Sequence, residues 1–141
     1  MRKQQTGLTL VELMVVVAVM AVIAAIAYPL YTTQTQKARR ADAKVALDTI
    51  ALAQERFYTI NGNYAATLSS LQVSADIAGG DSNEGYYSIA APTLTGGGQG
   101  FTVTATPDSG GAQASDATAC ASFTIDHLGT KTATGTASNC W

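Results

Sequence analysis

Residues 7–31, with the sequence GLTLVELMVVVAVMAVIAAIAYPLY, decide the fold of this chain because they are almost wholly apolar. No charged residue occurs between residues 13 and 31, a run of nineteen. A bilayer core of roughly 30 Å takes about 20 helical residues, so this run is long enough to span a membrane. Arg2 and Lys3 precede the run. The positive-inside rule therefore predicts a cytoplasmic N-terminus and places the chain after about Leu30 on the far side of the membrane.

An ordinary secretory signal peptide is the alternative interpretation of this stretch. Ala25-Ile26-Ala27 fits a small-x-small cleavage site, and cleavage after Ala27 would release a soluble secreted binding protein. However, the apolar run is long for a signal peptide, and it contains Glu12. A charge inside a bilayer costs about 2–3 kcal/mol, so Glu12 favours a retained helix in which this carboxylate has a function.

The segment around Gly7, Leu8 and Glu12 resembles the class III leader junction of type IV pilins. In that family a short basic leader ends in Gly, an apolar residue follows, and Glu is the fifth mature residue; the family usually has Phe where this chain has Leu8. The resemblance implies that residues 1–7 are a leader, that a prepilin peptidase cuts between Gly7 and Leu8, and that the new amino group of Leu8 is methylated. It also implies that residues 8–31 remain as a transmembrane and filament-core helix.

Glu12 and the amino group of Leu8 would carry opposite charges near one end of this helix. When subunits stack with an axial offset, Glu12 of one subunit can approach the Leu8 amino group of a neighbour, and the attraction is strong in a medium of low dielectric constant. An unpaired buried carboxylate is penalised, so the pair would also set the register. We therefore expect Glu12 to be an assembly residue.

The helix is expected to continue through an amphipathic half, residues 32–61, and to stop at Asn61-Gly62. Pro29 lacks a backbone N–H and is expected to kink the helix. Basic residues between 37 and 44 are expected to form a solvated face that pairs with acidic neighbours. The apolar stripe is too short for a sustained coiled coil. It has a 3-4-3 spacing, Leu47, Ile50, Gln54 and Phe57, flanked by Val45 and Leu52.

Residues 62–141 are expected to form a globular region. Residues 65–84 are typical of a loop with a short helical piece near residues 68–71. Alternating apolar residues predict four strands, at residues 85–91, 101–106, 120–126 and 130–134. The predicted fold is therefore α+β, a long N-terminal helix whose amphipathic half packs on a four-stranded antiparallel sheet, as in pilins.

Cys120 and Cys140 are the two cysteines of the chain. An even count in an exported protein suggests a disulfide, with free buried thiols as the alternative. The pattern also resembles the disulfide-bounded C-terminal region of type IVa pilins, in particular the PilE-like minor pilins of pseudomonads. A loop of this size would restrict the unfolded chain by roughly 3 kcal/mol.

Enzymatic chemistry is not indicated by any motif. The single histidine, His127, lies in a predicted turn, so a two-histidine metal site is excluded and no cofactor or metal is expected. Asp108-Ser109-Gly110 is typical of a turn, and the glycine-rich residues 96–100 lack the Lys-Ser/Thr of a phosphate-binding loop. Past the basic cluster, only Arg56 and Lys131 are cationic, so no nucleic-acid binding is expected.

The resemblance implies a structural, non-enzymatic subunit of a type IV pilus that serves twitching motility, adhesion or DNA uptake. A minor pilin is favoured over two alternatives, a major pilin and a pseudopilin of type II secretion. Its partners would be other pilin subunits, the prepilin peptidase and the inner-membrane assembly machinery. Before assembly the subunit would lie in the inner membrane with a periplasmic C-terminal domain, and afterwards in the extracellular pilus.

Overall fold

The computed structural model describes residues 9–141, so the predicted leader, with Gly7 and Leu8, lies outside the described part. The chain forms two compact units that divide between Thr35 and Gln36. One helix, α1 (Leu10–Asn61), supplies the secondary structure of the described part of the first unit and the opening of the second.

The first unit is the apolar part of α1. Pro29 lies within the helix, where its missing N–H leaves the carbonyl group of Ala25 without its usual helical donor. The hydroxyl groups of Thr32 and Thr33 both donate to the carbonyl oxygen of Pro29, each at 2.9 Å. The kink expected at Pro29 stays a prediction.

The second half of α1 buries one face. Its buried positions lie three or four residues apart, the spacing that puts side chains on one side of a helix. Gln54 is fully buried in this stripe and its amide makes two hydrogen bonds to the backbone of Ala65, at 2.9 and 2.8 Å. The helix ends at Asn61, and Gly62 follows with φ of +75°. The buried face consists of Arg40, Ala43, Ala46, Leu47, Ile50, Ala53 and Gln54.

The sheet of the second unit has five antiparallel strands: β1 (Tyr87–Ile89), β2 (Thr93–Thr95), β3 (Gly100–Pro107), β4 (Ser122–Asp126) and β5 (Lys131–Thr134). Along the sheet the order is β1, β3, β4, β5, and β2 also pairs with β3. β1 pairs with the C-terminal part of β3 and β2 with its N-terminal part, while β4 takes the other edge. The sheet therefore has four positions, one of them shared by two short strands.

The core of the second unit lies between α1 and the sheet. Alternate residues of β3 and β4 are buried, as expected for a sheet with one covered face. They belong to one apolar cluster with the buried face of α1. The predicted α+β class with a long N-terminal helix is confirmed. The largest fully buried sheet side chains are Tyr87, Phe101, Phe123 and Val103.

One strand and one α-helix were not expected from the sequence. β2 has the sequence Thr93-Leu94-Thr95, and its single apolar residue gives no alternation. A second helix, α2 (Ala75–Gly79), lies where a loop was predicted, beyond a 3₁₀ turn at Leu68–Ser70. Ser74 caps α2 through its side-chain oxygen, and Gly80 is its C-cap with φ of +98°.

Candidate assembly site

Glu12 lies in the first turn of α1. The side-chain oxygen of Thr9 accepts a hydrogen bond from the backbone N–H of Glu12 at 3.2 Å, and the N–H of Leu13 donates to the carbonyl oxygen of Thr9 at 3.2 Å. Thr9 is thus the N-cap and Glu12 the third helical residue, the spacing of a capping box. A carboxylate is also favoured at this end by the helix dipole. The T-x-x-E signal was present in the sequence, but its capping role was not recognised there.

Glu12 has no ion-pair partner between residues 9 and 141. The ion pairs in that range are Arg40–Asp116 and Lys131–Asp48. The Glu12 side chain is exposed in the isolated chain. Its carboxylate is therefore available to a cation supplied from outside the described residues.

The helix around Glu12 exposes apolar side chains in all directions. An 18-residue window has a mean hydropathy of 2.8, and none of it is buried by other residues in the range 9–141. A helix that is apolar on every side requires lipid or other helices around it. The large apolar residues from Leu10 to Ile26 are each more than half exposed: Leu10, Val11, Leu13, Met14, Val15, Val16, Val17, Val19, Met20, Val22, Ile23 and Ile26.

A buried ion pair joins the second half of α1 to the loop between β3 and β4. The guanidinium of Arg40 donates two hydrogen bonds to the carboxylate of Asp116, each at 2.7 Å, and the side chains are 7% and 1% exposed. The prediction of a solvated basic face is therefore wrong for Arg40. Its position in the 3-4 spacing with Leu47 was a signal, but a charged residue is not normally expected in a core stripe.

Gln113 extends this buried polar group. Its side-chain amide donates to the carboxylate of Asp116, the hydroxyl of Tyr87 and the backbone carbonyl of Gln36, at 2.8, 3.1 and 3.1 Å. Burial raises the pKa of Tyr87 to about 12. The cluster ties the loop before Cys120 to the start of the second unit.

Cys120 and Cys140 form a disulfide bond that closes the C-terminal region. Next to the disulfide, the backbone N–H groups of Thr136 and Ala137 donate to the carbonyl oxygens of Thr118 and Ala119, at 3.1 and 2.9 Å. Gly135 lies in this contact with φ of +137°. The disulfide and this backbone pairing therefore hold the last residues against the segment that precedes β4.

Trp141 packs beside this closed region. Its ring lies edge-on to Phe123 at 5.7 Å between centroids, and its indole N–H donates to the carbonyl oxygen of Thr132. Lys131 lies over the ring at 4.9 Å and pairs with Asp48 at 2.7 Å. This arrangement fixes the C-terminal end to β5 and α1.

The residues considered as catalytic candidates lie in separate turns and do not form a common site. His127 is half-buried at the end of β4, where its backbone N–H bonds to Phe101. Asp108 forms a turn with Gly110 and Gly111. Residues 96–98 have positive φ and form the turn between β2 and β3. Nothing from residue 9 onward forms a group of three side chains suited to a metal ion.

An exposed apolar N-terminal helix followed by a helix-backed antiparallel sheet defines a type IV pilin. The family model described as "Type IV minor pilin ComP, DNA uptake sequence receptor" matches residues 29–124, more than half of the chain. A second model, the prokaryotic N-terminal methylation motif, matches residues 2–28. The chain therefore belongs to the type IV pilin family, in its ComP minor-pilin branch.

Solved structures agree with this assignment. A type IV pilin from Shewanella oneidensis is 33% identical, with a TM-score of 0.52, over 75% of this chain and 97% of that chain. The non-core minor pilin PilV of Neisseria meningitidis is 20% identical, with a TM-score of 0.53, over 76% and 94%, and shows the shared fold. Among curated protein sequences, none matches this chain. The narrower resemblance to type IVa, PilE-like pilins stays a prediction.

Proposed function

We propose that the mature chain, cut between Gly7 and Leu8 and methylated on Leu8, is a minor subunit of a type IV pilus. The observation that carries this proposal is the helix apolar on every side with one acidic residue in its first turn. Such a helix serves first as a membrane anchor and then as part of a filament core. The match to a minor-pilin model favours a minor over a major subunit.

During assembly, Glu12 would set the axial alignment of neighbouring subunits. The first turn holds its backbone through Thr9, and none of the ion pairs among residues 9–141 involves its carboxylate. A neighbour's Leu8 amino group would neutralise this charge once the helices leave the lipid, and misaligned subunits would bury it unpaired. Prepilin peptidase, the inner-membrane assembly machinery and other pilins are the partners this route requires.

Before assembly, the subunit would lie in the inner membrane with its N-terminus in the cytoplasm and residues 36–141 in the periplasm. Arg2 and Lys3 on the N-terminal side of the span support this orientation. The disulfide between Cys120 and Cys140 suits an oxidising compartment.

Quantitative mass spectrometry of sheared filaments tests the proposal. We expect the chain in the filament fraction at a few hundredths or less of the most abundant pilin, and a deletion strain that loses twitching motility or adhesion. Abundance equal to the main filament protein would support the major-pilin alternative. Absence of the chain from filaments, with normal piliation in the deletion strain, would overturn a pilus role.

A DNA receptor is a second candidate function, and the description of the matching family model favours it. The charge of the second unit argues against it. Residues 36–141 carry six Lys and Arg against nine Asp and Glu, a net side-chain charge of −3, and two of the cations are already paired. Duplex DNA binding draws mainly on Lys and Arg contacts to phosphates, so affinity should be low.

The detergent-solubilised full chain and labelled duplex DNA distinguish these candidates. For a purely structural subunit, we expect no mobility shift at 150 mM salt and micromolar protein. A shift that depends on DNA sequence and weakens steeply with salt would establish the receptor function instead.

A further inference from the structure

A groove opens at the C-terminal end of α1. Its volume is about 530 Å³, in the range of sites that accept a small group or a protruding side chain. Its apolar floor includes Ala53, Leu71 and the half-buried Phe57, and Ile60 beside it is 81% exposed. The groove can therefore bury an apolar side chain, and at present it leaves Ile60 in water.

Arg56 gives this groove a positive charge. It lines the groove and is exposed, and neither of the ion pairs found in residues 9–141 involves it. An apolar groove with an unpaired guanidinium at its edge fits an apolar residue carried beside a carboxylate.

The turn between β4 and β5 presents that combination. Leu128 is 78% exposed at its tip. The same oxygen of the Asp126 carboxylate accepts hydrogen bonds from the N–H groups of Leu128 and Thr130, at 2.9 and 2.8 Å, so the turn is held rigidly. These backbone donors lower the pKa of Asp126. Among residues 9–141, no backbone N–H donates to the other oxygen of this carboxylate, so that oxygen can meet a cation.

We propose that the Leu128 turn of one copy docks into the Arg56 groove of a second copy, with Asp126 facing Arg56. Ile60 and Leu128 are the two most exposed large apolar residues of residues 36–141, and this contact covers both. Because the Leu128 turn and the Arg56 groove are different surfaces, the contact is heterologous. This inference rests on the proposed pilus function and adds that the few copies of this chain in a filament lie next to one another.

Photocrosslinking of the full chain in living cells tests the contact. A benzoylphenylalanine at Gln72, which is exposed on the groove wall, leaves Arg56 and Leu128 unchanged. With two differently tagged copies expressed together, we expect an adduct that carries both tags and maps to the peptide containing Leu128. The same probe at Leu52, which is exposed but outside the groove, is the matched control and should give no such adduct.

A charged substitution at Leu128 tests the contact, and an apolar substitution at the same position is its control. Leu128→Arg places a cation against Arg56 and should lower the adduct yield about tenfold, the effect of 1.4 kcal/mol. Leu128→Met keeps an apolar side chain at the tip of the turn and should retain most of the yield. Non-reducing mobility of the disulfide-bonded chain checks that each variant is folded.

An adduct only to a different pilin, no adduct, or an undiminished yield from Leu128→Arg would overturn the docking contact. Each of these results leaves the proposed function standing if the chain is still found in filaments. An adduct to Leu128 in the membrane fraction, with the chain absent from filaments, would support the contact and contradict the pilus role.

Discussion

Glu12 combines two roles at the start of α1 that substitution can separate. Its backbone N–H completes the cap on Thr9, while its carboxylate has no ion-pair partner among residues 9–141. Glu and Gln both suit the third position of a capping box. Glu12→Gln therefore removes the charge and keeps a capping residue at the helix start, whereas Glu12→Ala would remove both.

We expect Glu12→Gln to insert into the membrane normally but to enter filaments at least about tenfold less, since a lost charge pair of 1.4 kcal/mol corresponds to that factor. Immunoblots of membrane and sheared fractions measure this ratio. Glu55→Gln is the control in residues 36–141 and should assemble like the parent chain. Normal assembly of Glu12→Gln would contradict the pairing.

Arg40 and Asp116 illustrate a residue-level contact that the sequence did not predict. They are 76 positions apart, and only the packing of the loop before Cys120 on α1 brings them together. Periodicity can place Arg40 on the buried face, but it cannot name a partner from another part of the chain.

We expect Asp116→Ala to lower the free energy of unfolding by about 3–5 kcal/mol, because it leaves Arg40 buried without a counter-charge. R40M/D116L should cost less than Asp116→Ala alone.

Asp48→Ala is the control, because it breaks the exposed pair with Lys131 and should cost at most about 1 kcal/mol. Urea unfolding followed by the fluorescence of Trp141, the single tryptophan, measures all three. Equal losses for Asp116→Ala and Asp48→Ala would contradict this account.

Tyr87 makes the second unit sensitive to alkali. Burial raises its folded pKa to about 12 from 10.0, so the folded state prefers the neutral phenol. The resulting stabilisation is complete below pH 10 and is lost as the pH rises from 10 towards 12. Tyr64, which burial and the Glu55 hydrogen bond also shift to about 12, contributes in the same direction.

We expect urea midpoints of the full chain to fall steadily between pH 10 and pH 12, and Tyr87→Phe to fall less steeply over that interval. Tyrosinate absorbance recorded at the same pH values follows the ionisation itself. A urea midpoint that does not change between pH 10 and pH 12 would contradict a contribution of the buried Tyr87 phenol to stability.

At the level of elements, periodicity predicted those in which apolar residues repeat and missed those in which they do not. The 3-4-3 stripe of α1 placed Leu47, Ile50 and Gln54 on the buried face, and all three are fully buried. The flanking Val45 and Leu52 are exposed, because the buried face of α1 does not extend around the helix as far as these two side chains. β2 contains one apolar residue, Leu94, and α2 is five residues long, so neither contains a repeating apolar pattern, whereas the equally short β1 has one in Tyr87 and Ile89.

Gly135 is the element-scale position where a side chain is least tolerated. A Cβ there would collide with the carbonyl oxygen of Ala119, and its φ of +137° disfavours L residues. We expect Gly135→Ala to destabilise the second unit by about 2 kcal/mol, within the usual range for strained backbone sites. Gly110→Ala is the control, since a Cβ there meets nothing within 4 Å. Equal urea midpoints for the two variants would contradict the expected strain.

At the scale of the whole molecule, the resemblance of the segment around Gly7, Leu8 and Glu12 to the leader junction of type IV pilins predicted the class of protein. The family model and the solved pilins confirm that prediction. The contacts that build the second unit could not be predicted in the same way. They depend on which loop reaches Arg40 and on how Trp141 meets β5, and both follow from tertiary packing.

The account depends on a mature chain that keeps its apolar helix. Intact-mass and N-terminal sequence analysis of the protein purified from sheared filaments tests this most directly. We predict a mature chain that begins with N-methylated Leu8 and still contains Glu12. A chain that begins at Tyr28 and is recovered as a soluble periplasmic protein would contradict the filament account.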